Sequence, residues 1–194
     1  KIVGKVANEI ITSLKVDNNQ NLIEVKTNDA EAYEYYLRAK YLYKKRKDVK
    51  DVKIVRGLLQ KAIELDSSLI SVELLFGLTY LDMGDYDKAM DIYFDAYDLS
   101  KNIGDKTSLS DCLNAIADVF SLKGDKNKAL DYYKNSLVIL EELNNKSKAS
   151  LNLINIGYIY LDKDAYKKAL DFYKKALSIA INLDNQNLRG KILK

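Results

Sequence analysis

The stretch LDMGDYDKAMDIYFDAY, residues 81–97, recurs in related form as LKGDKNKALDYYKNSL at 122–137 and as LDKDAYKKALDFYKKAL at 161–177. Each copy has a polar turn followed by apolar and small residues at helical spacing. An active site seldom needs one pattern three times, whereas a stack of similar structural units does. The recurrence therefore predicts an array of repeats.

Four columns of small or aromatic residues set the period of this array at forty residues. The columns are Gly77, Ala117 and Gly157; Ala89, Ala129 and Ala169; Tyr80, Phe120 and Tyr160; and Tyr93, Tyr133 and Tyr173. We expect the two small columns to face each other where two helices approach closely. We expect the aromatic columns to fill the wider gap toward the next unit.

Each unit is predicted to contain two helices joined by a tight turn. In the best-preserved unit, helix A runs from about Ser71 to Met83 and helix B from Tyr86 to about Asn102. Between them, Gly84 suits the left-handed residue that follows a helix, and Asp85 suits the N-cap of the next one. The chain has no proline, which permits an all-helical fold without proving one.

The best-preserved unit follows the pattern of a known repeat family. The matching residues are Gly77, Tyr80, Gly84, Asp85, Tyr86, Ala89, Tyr93 and Ala96. In these positions the chain resembles the tetratricopeptide repeat, whose common period is about 34 residues; forty resembles the variant with longer helices found in several signalling scaffolds. The resemblance implies an all-α fold, a right-handed α-solenoid of stacked antiparallel helix pairs. A weaker resemblance, through AYEYYLRAK at residues 32–40, is to the repeat region of bacterial adenylate cyclase-like signalling proteins.

The predicted organisation follows from this register. It comprises an N-terminal helix and linker (1–26), a degenerate first repeat (27–68), a second (69–109), a third (110–149) and a fourth repeat (150–185), and the start of a truncated further repeat (186–194). In the degenerate repeat, KKRKDVKDVK at 44–53 is predicted to be a lengthened charged turn. Because the chain begins with Lys1 rather than Met, we expect it to be a piece of a longer protein.

Composition excludes several classes of function. The net charge of +3 is too small to indicate a nucleic-acid partner. One cysteine and no histidine rule out an internal disulfide, a multi-cysteine metal site and histidine-based nucleophile systems. No apolar run approaches the roughly 20 residues of a membrane span. We therefore expect no enzyme activity, no metal, no cofactor and no membrane segment in this fragment, and a cytoplasmic location.

The helix A faces of a curved solenoid line its concave side, which is the usual ligand groove. Tyrosine offers contact area there at a small entropic cost, and asparagine can clamp an extended peptide backbone. The alternative for the tyrosines is packing against the N-terminal helix or neighbouring repeats. The predicted groove residues are Tyr33, Tyr36, Lys40, Tyr43, Leu74, Leu78, Asp82, Asp111, Asn114, Asp118, Ser121, Asn155, Tyr158 and Asp162.

These features predict a non-catalytic scaffold that binds a peptide or helix in the groove, as a regulatory module of a larger bacterial signalling protein. Because the groove positions of the later repeats carry mostly leucine, aspartate and asparagine, a basic or apolar peptide is favoured over one with a terminal carboxylate. The alternatives are a self-association module that forms a homodimer, and a linker fused to a cyclase or kinase domain absent from this chain. The run Lys44–Lys47, which phosphates could contact, is interpreted instead as a solvated loop.

Overall fold

The computed structural model describes residues 29–182, and every regular element within them is an α-helix. The predicted N-terminal helix and the predicted start of a further repeat lie outside the described residues. The helices are α1 (Ala30–Lys45), α2 (Val49–Leu65), α3 (Ile70–Leu81), α4 (Tyr86–Ile103), α5 (Lys106–Leu122), α6 (Lys126–Glu142), α7 (Lys146–Asp162) and α8 (Tyr166–Asn182).

Acidic or amide side chains begin most of these helices. The predicted cap Asp85 accepts from the amide of Lys88 at 3.3 Å. Asp105 accepts from the amides of Thr107 and Ser108 at 3.0 and 3.1 Å. Each such contact satisfies an amide that has no partner within its own helix. The side chains that cap in this way are Asp29, Asp48, Asp85, Asp105, Asp125 and Asn145.

Between α3 and α8, each helix is followed by a residue with a left-handed backbone conformation, and these residues recur every twenty positions. These residues are Gly84, Gly104, Gly124, Asn144 and Asp164, with φ values of 76°, 72°, 85°, 51° and 55°. A helix and its turn therefore occupy twenty residues, and two helices make the forty-residue period. At the last two positions Asn144 and Asp164 replace glycine, and both are residue types that tolerate this conformation.

The chain divides into two compact units, residues 1–79 and 80–194. In the first, α1 and α2 pack as an antiparallel pair around a continuous hydrophobic core. Ala39 and Ala62 are fully buried in it. The predicted lengthened turn at 44–53 is wrong, because only Arg46–Asp48 separates the two helices. The reason is Asp48, which caps α2 through the amides of Lys50 and Asp51 at 2.8 and 3.1 Å.

In the second unit, α5 packs with α6 and α7 packs with α8. The predicted alanine column is buried, with Ala129 and Ala169 at 0% and 2% exposure. A buried serine bond joins each pair at an equivalent point. The donor is on helix B in one pair, where Ser136 Oγ bonds the Ser110 carbonyl, and on helix A in the other, where Ser150 Oγ bonds the Ala176 carbonyl. Both distances are 2.9 Å.

One aromatic column packs differently from the prediction. Phe120 stacks on Tyr132 with ring centroids 5.4 Å apart, and Tyr160 stacks on Phe172 at 5.3 Å. Both contacts lie within a helix pair rather than between pairs. Tyr133 reaches the next pair as predicted, since Asn155 on α7 lies close enough to its hydroxyl to affect its pKa.

Candidate functional site

The predicted groove residues of the first unit belong largely to its core. Tyr36 is buried, and Tyr33 and Tyr43 are half-buried and pack against the same cluster. Lys40 Nζ lies 5.5 Å from the centroid of the Tyr36 ring. These tyrosines pack within the first unit, and a ligand contact for them stays a prediction. Leu74 and Leu78 are half-buried on α3.

The predicted residues of the second unit lie mainly on two helices. Asp82 is exposed just after α3, and Tyr158 and Asp162 are exposed on α7. The half-buried ones are Asp111, Asn114, Asp118 and Ser121 on α5, and Asn155 on α7. Half-burial leaves these polar groups reachable while weakening their contact with water.

Tyr133 connects the two helices. Its hydroxyl donates a hydrogen bond to Asp118 on α5, and the side chain of Asn155 on α7 lies close enough to affect its pKa. Burial raises the pKa of Asp118, and the bond from Tyr133 opposes that rise. The pKa of Tyr133 is raised too, first by burial and then by the adjacent carboxylate, so its hydroxyl keeps its proton.

A second polar contact joins α5 and α7. Lys148 Nζ lies 2.7 Å from both carboxylate oxygens of Asp111, and both side chains are about three-quarters buried. Burial raises the pKa of Asp111, and the charge of Lys148 opposes that rise. Among the described residues, no lysine or arginine makes an ion pair with Asp118. We call Asp111, Lys148, Asp118, Tyr133 and Asn155 the α5–α7 cluster.

Three side chains near these contacts have buried polar atoms without a hydrogen-bond partner. They are Oδ1 of Asn114, the hydroxyl of Tyr173, and both amide atoms of Asn152, which is 1% exposed. Such atoms are uncommon in folded proteins. Asn114 lies on α5 between Asp111 and Asp118, so an acceptor lies beside the two carboxylates.

The following helix pair replaces the carboxylate by an aromatic ring. Tyr158 stands forty residues after Asp118, is 54% exposed, and packs edge-on against Tyr173 at 5.8 Å. Gly157 makes this arrangement possible, because a Cβ there would lie 2.5 Å from Tyr173 Cε1. Burial, and then the proximity of Tyr158 and Asp162, raise the pKa of Tyr173. The face formed by α5 and α7 therefore has an acidic part and an aromatic part.

Two members of the cluster were missed from the sequence. Tyr133 was assigned to a packing column, although a hydroxyl at a position that a phenylalanine could fill is a signal of a polar partner. Lys148 carried no signal, because the equivalent residue of the preceding repeat is Ser108.

Residues 29–182 show neither the side-chain cluster of a metal site nor a helix suited to a membrane span. In this part of the chain, no group of three or more histidine, cysteine, aspartate or glutamate side chains is arranged to hold a metal ion. None of its helices combines the length and the apolar character that crossing a bilayer requires.

Two family models described as tetratricopeptide repeat match the chain, one at residues 68–142 and the other at residues 152–180. Together they cover more than half of it. No curated protein matches the sequence.

Several solved structures are similar to this chain. Aspartyl phosphate phosphatase F from Bacillus subtilis has a TM-score of 0.76 and 18% identity over 88% of this chain and 45% of its own. The apo form of RapI has a TM-score of 0.75 and 16% identity over 99% of this chain and 69% of its own. The Rap conjugation gene regulator of plasmid pLS20, in complex with the Phr* peptide, has a TM-score of 0.74 and 18% identity over 97% and 51%.

This chain therefore spans only 45% of the length of the first of these proteins and 69% of the second. At such identities the similarity shows a shared fold. The predicted fold class, an all-α solenoid of antiparallel helix pairs, is confirmed.

Proposed function

The chain belongs to the tetratricopeptide repeat family, and on that premise we propose that it is a non-catalytic scaffold that binds a basic peptide along α5 and α7. The observation that carries this proposal is Asp118. Its carboxylate is largely buried, accepts a hydrogen bond from Tyr133, and makes no ion pair with a cation of the described residues.

A buried carboxylate without a counter-charge costs free energy in the unliganded protein. A lysine, an arginine or a terminal amine beside Asp118 would supply both the charge and a charge-assisted hydrogen bond. Asp111 does not need such a partner, because Lys148 already neutralises it. The cationic group of the peptide is therefore assigned to Asp118.

The rest of the peptide would use the neighbouring groups. The carboxamides of Asn114 and Asn155 suit the backbone of an extended chain, and the exposed ring of Tyr158 suits an apolar side chain. Asp82, Ser121 and Asp162 are proposed to border the same ligand. Because Asp162 pairs with Lys126 at 3.3 Å, we expect it to contribute less than Asp118.

The similar structures support a peptide ligand, since one of them was solved with the Phr* peptide bound. We extend the proposal to a regulatory module of a larger signalling protein with a cytoplasmic location. The resemblance to adenylate cyclase-like proteins and the fusion to a cyclase or kinase domain stay predictions.

The test measures binding of three labelled decapeptides by fluorescence anisotropy: alternating alanine–lysine, alanine–glutamine and alanine–glutamate. We expect the lysine peptide to bind most tightly. Asp118→Asn should weaken its binding by about tenfold or more, because a hydrogen bond to a charged group contributes about 1.5–3 kcal/mol.

Asp131 on α6 offers a matched control, because it is an exposed aspartate of the same unit. Asp131→Asn makes the same change in net charge and should leave the affinity unchanged. Equal loss in both variants, or equal binding of all three peptides, would contradict the proposal. Asn114→Ala and Asn155→Ala should each weaken binding of the lysine and glutamine peptides alike, because they remove backbone contacts.

Self-association is a second candidate function because α8 exposes an apolar stripe. Tyr166, Leu170 and Ile181 are 63%, 52% and 53% exposed and lie along one side of the helix. Two such stripes could pair in a homodimer. Light scattering over a concentration series should then show that the mean mass of the unaltered chain rises with concentration, whereas Leu170→Asp stays a monomer. If the unaltered chain is a monomer at every concentration, self-association is excluded.

A further inference from the structure

The turn between α1 and α2 concentrates positive charge. Residues 44–54, which we call the α1–α2 tip, contain six lysine or arginine residues and two aspartates, a net charge of +4. The whole chain carries +3, so the rest of it is slightly acidic. Lys44, Lys45, Lys47, Lys50 and Lys53 are all exposed.

The two carboxylates of the tip bind backbone amides. Asp48 Oδ1 accepts from the amides of Lys50 and Asp51, and Asp51 Oδ2 accepts from the amide of Lys47 at 2.7 Å. These bonds direct the carboxylates toward the first turn of α2. The acids of the tip thus cap a helix, and its cations are displayed on the surface together with the positive end of the α2 dipole.

Two tyrosines of α1 hold cations of the tip in place. Lys45 Nζ donates to the Tyr41 hydroxyl at 2.6 Å and lies 4.6 Å from the centroid of its ring. The guanidinium of Arg46 lies 3.7 Å from the Tyr43 ring centroid, and its Nη1 donates to the Tyr43 carbonyl at 2.7 Å. These ring faces are thereby covered, which leaves them poorly placed to stack on nucleobases.

Exposed aliphatic side chains lie among the cations. Val49 is 50% exposed and Ile54 is 57% exposed, both near the start of α2 and adjacent to Lys50 and Lys53. A phosphate backbone offers no partner for such side chains. An anionic bilayer surface offers headgroup charge for the lysines and acyl chains for the aliphatic groups.

We propose that the α1–α2 tip docks on anionic lipid headgroups at a membrane surface, with Lys50 and Lys53 supplying charge and Val49 and Ile54 entering the interface. This docking is peripheral. It uses the first unit alone and does not depend on the peptide site proposed for α5 and α7.

The test is co-sedimentation of the whole chain with vesicles of phosphatidylcholine containing 30% phosphatidylglycerol, a fraction about that of an anionic leaflet. We expect the chain to bind these vesicles at 0.1 M salt and to bind vesicles of pure phosphatidylcholine only weakly. Lys50→Gln/Lys53→Gln should lower the partition coefficient by about thirtyfold, since each basic residue near the surface contributes about a factor of five. The control Lys167→Gln/Lys174→Gln removes two exposed charges of α8 and should change nothing.

The aliphatic contribution separates a membrane from other polyanions. Ile54→Ser should weaken vesicle binding by about fivefold and leave binding to heparin beads unchanged. Val138→Ser is its matched control, because Val138 is also β-branched and is 55% exposed on α6. Binding to heparin or to single-stranded RNA without binding to vesicles would overturn the membrane assignment, as would an Ile54→Ser variant that binds vesicles as well as the unaltered chain.

Discussion

The helix pairs α5/α6 and α7/α8 share a backbone plan but differ in the side chains that surround one tyrosine. Tyr133 on α6 donates its hydroxyl to Asp118, whereas Tyr173 on α8 has a buried hydroxyl without a partner. Forty residues after Asp118 stands Tyr158, whose ring packs against Tyr173. The position held by Asp118 in one pair and Tyr158 in the next thus makes a hydrogen bond in the first and an aromatic contact in the second.

The difference extends to the neighbouring small residue. Ala117 is fully buried in the first pair, where the tyrosine is drawn toward a carboxylate. In the second pair the equivalent residue must be Gly157, because a Cβ would collide with the Tyr173 ring. A repeat therefore tolerates a change on the face formed by α5 and α7 when a packing residue beneath it changes as well.

The largest expected effect comes from exchanging the small residue. Gly157→Ala places a methyl group 2.5 Å from Tyr173 Cε1. Overpacking lowers the free energy of unfolding by up to about 3 kcal/mol, and the higher helix propensity of alanine raises it by about 1 kcal/mol. We therefore expect a net decrease of about 2 kcal/mol. Urea unfolding measures it.

A double variant shows whether the Tyr173 ring is the cause. Gly157→Ala/Tyr173→Leu should recover most of the loss, since leucine can move away from the added methyl. The converse change, Ala117→Gly, should cost about 1–2 kcal/mol through helix propensity and the lost burial of one methyl group. If Gly157→Ala stabilises the chain, the close contact that distinguishes the two pairs does not exist.

Removal of the two hydroxyls should change the free energy of unfolding in opposite directions. Tyr133→Phe leaves the largely buried Asp118 without its donor, and we expect a loss of about 1.5 kcal/mol. Tyr173→Phe removes a buried hydroxyl that has no partner, and we expect a gain of about 1 kcal/mol. Paired urea titrations of the two variants measure both values; a loss of equal size in each would show that Tyr173 also has a partner.

Much of this fold followed from spacing alone. The forty-residue columns predicted the buried alanines, the helix at Tyr86 and the turn at Gly84, because steric and capping rules act on neighbouring residues. The α5–α7 cluster was predicted only in part, since Asp111, Asp118 and Asn155 follow from helix phase. The contacts of Lys148 and of the Tyr133 hydroxyl depend on where two helices meet in space, which no local pattern encodes. The charged run 44–53 was misread because its length suggested a turn, while Asp48 begins a helix there.

A smaller difference concerns the first turns of α6 and α8. Asp125 caps α6 through the amide of Lys128 at 3.1 Å, whereas the equivalent position before α8 is Ala165. Ala165→Asp should add a cap and stabilise the chain by about 1 kcal/mol. Asp125→Ala should destabilise it, and thermal unfolding of both variants checks the two directions. No change in Ala165→Asp would mean that the turn before α8 differs in geometry from that before α6.

The smallest expected effect is a pH dependence that distinguishes two carboxylates of the α5/α6 pair. Burial raises the pKa of Asp118 above its unfolded value, so its contribution to stability is present below the unfolded pKa and is lost as pH rises through the folded pKa. The pKa of Asp125 is lowered, first by the backbone hydrogen bond from Lys128, so its contribution is present above the unfolded pKa and is lost as pH falls through the folded one.

Urea unfolding at several pH values between 4 and 7 should therefore separate Asp118→Asn from Asp125→Asn. Relative to the unaltered chain, Asp118→Asn should become progressively less stable as pH falls, because it cannot take up the proton that the native state binds more tightly. The deficit of Asp125→Asn should instead stay constant over this range, because its contribution is lost only as pH falls below the ordinary range of an aspartate. Parallel curves for the two variants would mean that Asp118 is as well solvated as Asp125 and has no need of a cationic partner.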